Sequence, residues 1–282
     1  MEDNRSAFGV ERMCRVLRVS KSGYYGWRNR GPSGRTLRHQ RLLPEIRRVF
    51  VDSRQTYGSP RVFKALRGEG QGCGKHQVER LMRQHGITPR RRRKFKKTTD
   101  SDHSYPVASN LVERIFEAES LNRLWTSDIT YIWTSEGWLY LAVVLDVCSR
   151  RIVGWGMSHR LQDDLVIAAL EQAFGRRRVE TGLIFHSDQG SQFAGNACQK
   201  LLDDHRVRPS MSRKGDCYDN AITESFFGTL KTELVYQEKF QTREEARLKI
   251  FDYIEVFYNR QRLHSSINYK TPVHFEKNKT LS

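Results

Sequence analysis

Three carboxylates on separate predicted elements could together bind divalent metal ions. Asp128 falls in the middle of an apolar and aromatic strand pattern, where an acid costs desolvation energy unless something compensates it. Asp188 follows a short apolar segment, at the carboxyl end of a predicted strand, and Glu224 lies on a predicted helix. Hard cations such as Mg²⁺ prefer oxygen ligands, and several carboxylates are needed to hold two of them. Two such ions roughly 4 Å apart can activate an oxygen nucleophile and stabilise a leaving oxygen in phosphodiester cleavage or transfer.

Taken singly, each of these acids is equally consistent with a structural role, as a helix cap or a salt-bridge partner. Asp146, in the next predicted strand, shows how easily an acid arises near a strand end without any chemical role. The three candidates are more specific in combination, because they lie in chain order on a strand, a strand end and a helix.

The elements that must position these acids alternate between strands and helices. Segments rich in β-branched and aromatic residues predict an antiparallel meander at 124–133, 138–147 and 151–158. Two later short strands are predicted at 183–186 and 208–212. Helices are predicted at 163–174, 197–204, 219–234 and 244–258. This order is typical of an α/β layer architecture.

The first third of the chain predicts short helices and carries the excess positive charge. Helices are predicted at 8–17, 21–30, 37–52 and 75–85, with another beginning at Ser59. Residues 1–100 contain 26 Lys and Arg against 8 Asp and Glu, a net charge of +18, while the remainder has a net charge of −1. Such a segment is typical of polyanion binding, and its helices are compatible with a helix-turn-helix unit. A small helical bundle with a solvated face is the alternative.

A run of like charges follows these helices. The segment from Arg90 to Lys97 contains seven basic residues in eight. Because like charges repel, we predict an extended arm that becomes ordered on phosphates. We expect its first four arginines to contact DNA: Arg90, Arg91, Arg92 and Arg93.

The composition argues against several other classes of protein. The amino terminus has no apolar segment typical of a signal peptide, and the longest apolar stretch, 138–147, is too short to cross a membrane. The five cysteines are scattered singly without a CxxC pair, which argues against a disulfide framework or a cysteine-rich zinc site. We therefore expect a soluble cytoplasmic protein.

Several motifs in combination resemble transposases of bacterial insertion sequences. Asp128, Asp188 and Glu224, with 35 residues between the last two, resemble the DD(35)E signature of retroviral-integrase-like transposases, and Lys231 matches that family's basic residue. A closer resemblance is to the second-frame product, OrfB, of the IS3 family. It is carried by Ser22-Gly-Tyr-Tyr25, Tyr57-Gly58, Trp125-Thr-Ser-Asp-Ile-Thr-Tyr-Ile132, Leu145-Asp-Val-Cys-Ser-Arg150, His186-Ser-Asp-Gln-Gly-Ser-Gln-Phe193, Gly215-Asp-Cys-Tyr-Asp-Asn220, Glu224-Ser-Phe-Phe227 and Tyr258-Asn-Arg260.

The resemblance implies a ribonuclease-H-like catalytic domain, which is a mixed five-stranded sheet with flanking helices. We accordingly expect this domain at 119–282, preceded by a helical helix-turn-helix region. The latter is divided into a helical DNA-binding segment at 1–34, a helix-turn-helix-like domain with its basic arm at 35–97, and a linker at 98–118.

The resemblance also implies an activity, a cofactor and partners. Asp128, Asp188 and Glu224 would hold two Mg²⁺ ions, with Mn²⁺ as a substitute, for DNA strand cleavage and strand transfer at insertion-sequence ends. Partners would be double-stranded DNA of the terminal repeats and target, the first-frame product or a fusion with it, and further copies of the chain on DNA. The implied location is the bacterial nucleoid.

Other side chains are candidates for DNA contact. Lys231 shares a helix face with Glu224 and would contact a phosphate, unless it is simply a solvated lysine. Arg213 and Lys214, in the predicted loop before Glu224, are similar candidates. Gln189 and Gln192, after Asp188, would touch terminal nucleotides or close the loop.

Four further polar residues have two interpretations each. His186 could tune Asp188 or pack at a strand end. Asn259, Arg262 and His264 could bind DNA or a second subunit, or could form a structural turn.

Two other functions compete with a transposase. A structure-selective nuclease of the same fold would cleave DNA without joining it, and the long basic amino-terminal region disfavours this reading. A DNA-binding regulator without catalysis is disfavoured by the complete set of acids.

Overall fold

A mixed five-stranded sheet forms the centre of the computed structural model, which describes residues 1–90, 105–112, 118–213 and 220–280. The strands are β1 (Leu124–Thr134), β2 (Gly137–Asp146), β3 (Ile152–Ser158), β4 (Ile184–Ser187) and β5 (Arg208–Met211). Their order in the sheet is β3-β2-β1-β4-β5. The first three strands form an antiparallel meander, and β4 and β5 add to β1 in parallel. The predicted α/β class and five-stranded mixed sheet are confirmed.

Among the described residues, five α-helices precede this sheet. They are α1 (Val10–Leu17), α2 (Lys21–Asn29), α3 (Gly34–Asp52), α4 (Ser59–Gly68) and α5 (Lys75–Gln84). Helices α3 to α5 share a small apolar core around Ile46, Val62, Leu66 and Val78, which are all fully buried. This is the helical region that the amino-terminal sequence predicts.

The remaining helices cover both faces of the sheet. They are α6 (Asp163–Arg176), α7 (Ser191–Ala194), α8 (Asn196–Asp204), α9 (Ala221–Glu233), α10 (Arg243–Phe251) and α11 (Pro272–Thr280). Successive residues of a strand point to opposite faces, so β2 contributes to two cores. Val144 packs in the core with α6 and α8, whereas Val143 packs in the core with α9 and α10.

Two glycines on β3 allow α6 to approach the sheet closely. A side chain at Gly154 would collide with the backbone of Ala169, and one at Gly156 would collide with the backbone of Leu165. The two glycines lie two residues apart and therefore on the same face of the strand. This spacing is the sequence signal for the close contact.

The amino-terminal helices dock on the carboxyl-terminal part of the chain. The Tyr57 hydroxyl donates to the carbonyl of Gln261 at 3.2 Å and accepts from the backbone N–H of Leu263 at 2.6 Å. Arg61 Nε donates to the carbonyl of Leu263 at 3.0 Å. Arg54 forms an ion pair with Asp252 at 2.7 Å. The helix-turn-helix-like region and the sheet domain therefore share a specific interface.

A buried ion pair fixes the segment that Tyr57 contacts. The Arg262 guanidinium donates to both carboxylate oxygens of Glu233, with Nη2–Oε1 at 2.8 Å and Nε–Oε2 at 2.9 Å. The Tyr253 hydroxyl donates to the same carboxylate at 2.8 Å. Both charged side chains are almost completely buried, so each needs the other's charge. The pair ties the end of α9 to the carboxyl-terminal segment.

Three parts of this architecture differ from the sequence prediction. The short helix α7 and the last helix α11 were not predicted. The helix predicted at 244–258 is α10 followed by a π-helical segment, Asp252–Tyr258. That wider winding buries four large side chains together: Tyr253, Ile254, Phe257 and Tyr258.

Within the described ranges, no helix combines the length and apolar character that crossing a membrane requires.

Replacing Arg262 with methionine tests the buried pair. The variant leaves the Glu233 carboxylate buried without its counter-charge, so we expect the free energy of unfolding to fall by about 3–5 kcal/mol. The double variant Glu233→Gln, Arg262→Met removes both charges and should recover much of this loss. Urea unfolding followed by circular dichroism measures both values. Equal losses in the single and double variants would show that the pair does not act as described.

Candidate active site

The sheet register places Asp128 and Asp188 side by side. Thr126 on β1 is paired with His186 on β4 in parallel register. Asp128 and Asp188 each follow their paired residue by two positions, so the two residues lie next to each other where β4 ends. This arrangement follows directly from the parallel addition of β4 to β1, which a list of predicted strands does not specify.

Two hydrogen bonds fasten the beginning of α9 to β1 just before Asp128. The Thr223 hydroxyl donates to the Thr126 hydroxyl at 2.7 Å, and Asn220 Nδ2 donates to the carbonyl of Ser127 at 3.2 Å. All four residues are buried. Glu224, the next residue on the helix, is thereby held beside the strand that carries Asp128. Sequence reasoning missed these residues, and small polar side chains at buried strand positions are the only local signal.

The electrostatics of Asp128 indicate that Asp188 and Glu224 each lie within electrostatic reach of it. Burial raises the pKa of Asp128 well above its usual value, and the negative charges of Asp188 and Glu224 raise it further. The backbone N–H of Ile129, which donates to Asp128 Oδ1 at 2.7 Å, and the ammonium of Lys231 oppose this shift. The site therefore brings together more negative charge than its surroundings neutralise.

This donor set fits divalent cations that are held by pairs of acids. In the ranges that the structure describes, no group of three or more His, Cys, Asp or Glu side chains is placed to hold a metal ion. Asp128 nevertheless interacts with both Asp188 and Glu224, so it could be shared between two pairs. Carboxylate oxygens are the ligands that Mg²⁺ prefers, and a cation would relieve the repulsion at Asp128.

Lys231 lies beside the Tyr131 ring and within electrostatic reach of Asp128. Its Nζ is 5.1 Å from the centroid of the Tyr131 ring, and burial lowers the pKa of its ammonium while Asp128 raises it. The side chain is half-buried, in contrast to a fully solvated helix lysine. Its contact with a DNA phosphate stays a prediction.

The loop after Asp188 is fixed by its own polar groups. The backbone N–H of Gly190 donates to Asp188 Oδ1 at 3.0 Å. Gln189 Nε2 donates to the carbonyl of Ser212 at 2.9 Å, and so connects this loop to the end of β5. Gln192 is half-buried on α7, beside Gly190. Gln189 thus closes the loop, which is one of its two predicted roles.

The remaining candidates for DNA contact are spread over two regions. Arg213 is exposed just after β5, near the loop that Gln189 closes. The Arg90 guanidinium donates to the carbonyl of Glu233 at the end of α9. Lys214 and the other predicted arginines, Arg91, Arg92 and Arg93, lie outside the described residues.

Most of the ambiguous polar residues have structural partners. His186 Nδ1 lies 2.9 Å from the Ser210 hydroxyl within the sheet. The Asn259 amide donates to the carbonyl of Ile152 and accepts from its N–H, both at 3.0 Å, and Arg262 pairs with Glu233. These contacts favour the structural reading for Asn259 and Arg262.

Asp146 illustrates an acid without a chemical role. Its carboxylate accepts from the backbone N–H of Asn122 at 2.7 Å, and from the N–H and hydroxyl of Ser149 at 2.8 and 2.9 Å. Burial raises the pKa of Asp146, and these donors only partly oppose the shift. The carboxylate therefore organises the turn between β2 and β3.

Sequence comparison matches both parts of the chain to known families. Residues 118–217 and residues 224–281 each match a family described as Integrase core domain. Residues 38–95 match a family described as HTH-like domain. The chain is therefore an integrase-core protein with a helix-turn-helix-like domain and the ribonuclease-H-like sheet that its topology shows.

Curated relatives give the family more narrowly. The transposase InsF of insertion sequence IS3A from Escherichia coli (strain K12) is 42% identical over 100% of this chain and 98% of that protein. A 31 kDa protein of insertion element IS600 from Shigella sonnei is 42% identical over 94% of this chain and 97% of that protein. The chain belongs to the IS3 family of insertion-sequence transposases, which confirms the resemblance described above.

Solved structures of retroviral integrases are similar to this chain at low identity. In a simian T-cell lymphotropic virus intasome, the matching chain is 14% identical, with 78% of this chain and 70% of that chain covered and a TM-score of 0.46. The catalytic core domain of BIV integrase is 19% identical, with 57% and 97% covered and a TM-score of 0.43. The family assignment rests on the sequence relatives.

Substituting Asp128 with asparagine tests the excess of negative charge. In the absence of divalent cations, removing the buried carboxylate that Asp188 and Glu224 both repel should raise the free energy of unfolding by about 1 kcal/mol. The matched control is Asp146→Asn, one strand away, which removes a well-hydrogen-bonded carboxylate and should lower stability by about 1–3 kcal/mol. Urea unfolding in a chelating buffer measures both. A loss of stability in both variants would contradict the description of Asp128.

Proposed function

We propose that this chain catalyses metal-dependent DNA strand cleavage and strand transfer at the ends of an insertion sequence. The observation that carries the proposal is the electrostatic interaction of Asp128 with both Asp188 and Glu224. Family membership supports DNA transposition and integration as the process, and the integrase-core match supports a polynucleotidyl transferase. The individual catalytic residues are our assignment.

In this proposal, Asp128 is shared between two pairs of ligands. Asp128 with Asp188, and Asp128 with Glu224, would hold two Mg²⁺ ions, and Mn²⁺ would be an acceptable substitute. When bound, such ions supply activation of an oxygen nucleophile and stabilisation of a leaving oxygen. The protein's part is to hold the three carboxylates close together, where a bound cation would favour the charged form of Asp128. The hydrogen bond from Gly190 to Asp188 and those of Thr223 and Asn220 to β1 keep the acids in place.

Basic side chains around the acids would position the DNA strand. Lys231 is near enough to act on Asp128 and would contact a phosphate beside the reacting one. Arg213, Lys214, Gln189 and Gln192 would line the approach to the acids. The arginines from Arg90 to Arg93 would bind phosphates of the duplex, since such contacts do not depend on base sequence.

Domain roles and partners belong to the same proposal. Residues 1–34 and 35–97 would bind the terminal repeats, 98–118 would link them to the catalytic domain, and 119–282 would perform the chemistry on repeat and target DNA. We further propose that the chain acts in the cytoplasm at the nucleoid, as several copies on DNA. It would act with the first-frame product or fused to it.

A cleavage-and-joining assay on DNA with the flanking terminal repeats tests the activity. With Mg²⁺, the chain or its fusion with the first-frame product should produce both cleaved and joined strands. Asp188→Asn and Glu224→Gln should each abolish both products, because each removes one ligand of a metal pair, whereas the exposed acid variant Glu171→Gln should retain them. Separate measurement of DNA binding shows whether the inactive variants still bind.

Each competing function predicts a different outcome of this assay. Cleavage without joined products would favour a nuclease. DNA binding without cleavage, in the fused form as well as in the single chain, would favour a regulator. Unchanged processing by Asp188→Asn would show that the metal site is assigned to the wrong residues.

A further inference from the structure

Three exposed aromatic side chains form a cluster on the β1–β2 hairpin. Tyr131, Trp133 and Trp138 are 38%, 59% and 42% exposed. Trp133 and Trp138 lie directly opposite each other in the strand register, with ring centroids 4.8 Å apart in a T-shaped arrangement. The Tyr131 ring lies 5.1 Å from that of Trp138, also edge to face. We call these three residues the hairpin aromatic cluster.

The folded core does not account for this cluster. Alternation along the strands places its residues on the same sheet face as Tyr140 and Ile129, which pack against the core beneath α6. The cluster lies farther along the hairpin, where its rings remain open to solvent. Single exposed apolar side chains are ordinary, but contiguous groups of large ones mark binding surfaces. The cluster is therefore a candidate for contact with another molecule.

The cluster and Asp128 lie on opposite faces of the sheet, because Tyr131 shares the face of Tyr140 and Asp128 shares that of Val143, but both lie along the same open edge of β1. Tyr131 is three residues beyond Asp128 on β1, which is about 10 Å along an extended strand. In the described part of the chain, β4 pairs with β1 only at Leu124–Thr126, so no strand covers this later part of β1. Lys231 crosses the edge here, because its Nζ is 5.1 Å from the Tyr131 ring and its charge acts on Asp128. A DNA strand that passed the acids would therefore reach the rings by turning around this edge at Lys231.

We propose that the hairpin aromatic cluster stacks on an unpaired base of the DNA strand whose phosphate lies at Asp128, Asp188 and Glu224. The proposal rests on the proposed function for the position of that phosphate. Aromatic side chains stack on any base, because every base presents a π-face, and a neighbouring cation suits the phosphate backbone. The combination of flat rings with Lys231 fits a nucleotide better than it fits an apolar protein surface.

Binding of two matched oligonucleotides to the full chain tests this surface. One is a short thymidine oligonucleotide, and the other is an abasic oligonucleotide with the same number of phosphates. In a chelating buffer, the wild-type chain should bind the first at least about fivefold more tightly, since stacking adds to the phosphate contacts. Trp133→Leu and Trp138→Leu should reduce this preference while leaving abasic binding unchanged. Trp133→Phe, which keeps an aromatic ring, should retain most of it.

A matched control and an independent variant complete the experiment. Leu248→Ala changes another exposed apolar residue, 62% exposed on α10, and should keep the full preference. Tyr131→Leu, at the other end of the cluster, provides a second test should Trp133→Leu fail to fold. An unchanged preference in a folded Trp133→Leu, Trp138→Leu double variant would overturn the proposal. If that variant also lost self-association in sedimentation, the cluster would instead be an interface between copies of the chain.

The experiment separates this proposal from the proposed function. No divalent cation is present, so base-dependent binding does not require catalysis. A chain that prefers bases through the cluster but never cleaves DNA would contradict the proposed function alone. A chain that cleaves and joins DNA but shows no cluster-dependent preference would contradict the stacking proposal alone.

Discussion

The buried ion pair between Glu233 and Arg262 is the interaction on which the rest of the site depends. Glu233 is the last residue of α9, the helix that also carries Glu224 and Lys231. Asp188 and Glu224 both repel Asp128. The repulsion between Asp128 and Glu224 would push α9 away from β1. Hydrogen bonds from Thr223 and Asn220 hold the beginning of the helix, whereas the ion pair holds its end. An uncompensated charge in the interior costs several kcal/mol, so the end of α9 cannot move without a large penalty.

The same ion pair connects the site to the DNA-binding region. Tyr57 bonds to the backbone on both sides of Arg262, at Gln261 and Leu263, while Arg90 bonds to the carbonyl of Glu233. The helix-turn-helix-like domain therefore contacts the segment that holds the end of α9. Partly buried hydrogen bonds thus relate its position to the helix that carries Glu224.

The sequence predicts the acids and the main strands, because both depend on local patterns. β-branched and aromatic residues define the meander, and the chain order of the acids resembles a known motif. The short helix α7 has too few residues for a helical period, and the π-helical segment keeps an apolar pattern that reads as ordinary helix. The contact of Tyr57 with Leu263 joins residues 206 positions apart, so no local pattern encodes it. For the same reason, the sequence alone allows two interpretations of Arg262, because it does not show that this side chain pairs with Glu233.

Asp128 and Asp146 show why the environment, and not the residue type, decides the role of an acid. They lie on neighbouring strands, and burial raises the pKa of both carboxylates. Asp146 accepts three hydrogen bonds from Asn122 and Ser149, which partly offset the cost of burying its charge. Asp128 lies within electrostatic reach of Asp188 and Glu224, and their negative charges add to the effect of burial in disfavouring its charged form. The contacts of Thr223 and Asn220 hold Glu224 beside it nonetheless, and in the proposed function a bound cation would favour the charge that the fold disfavours.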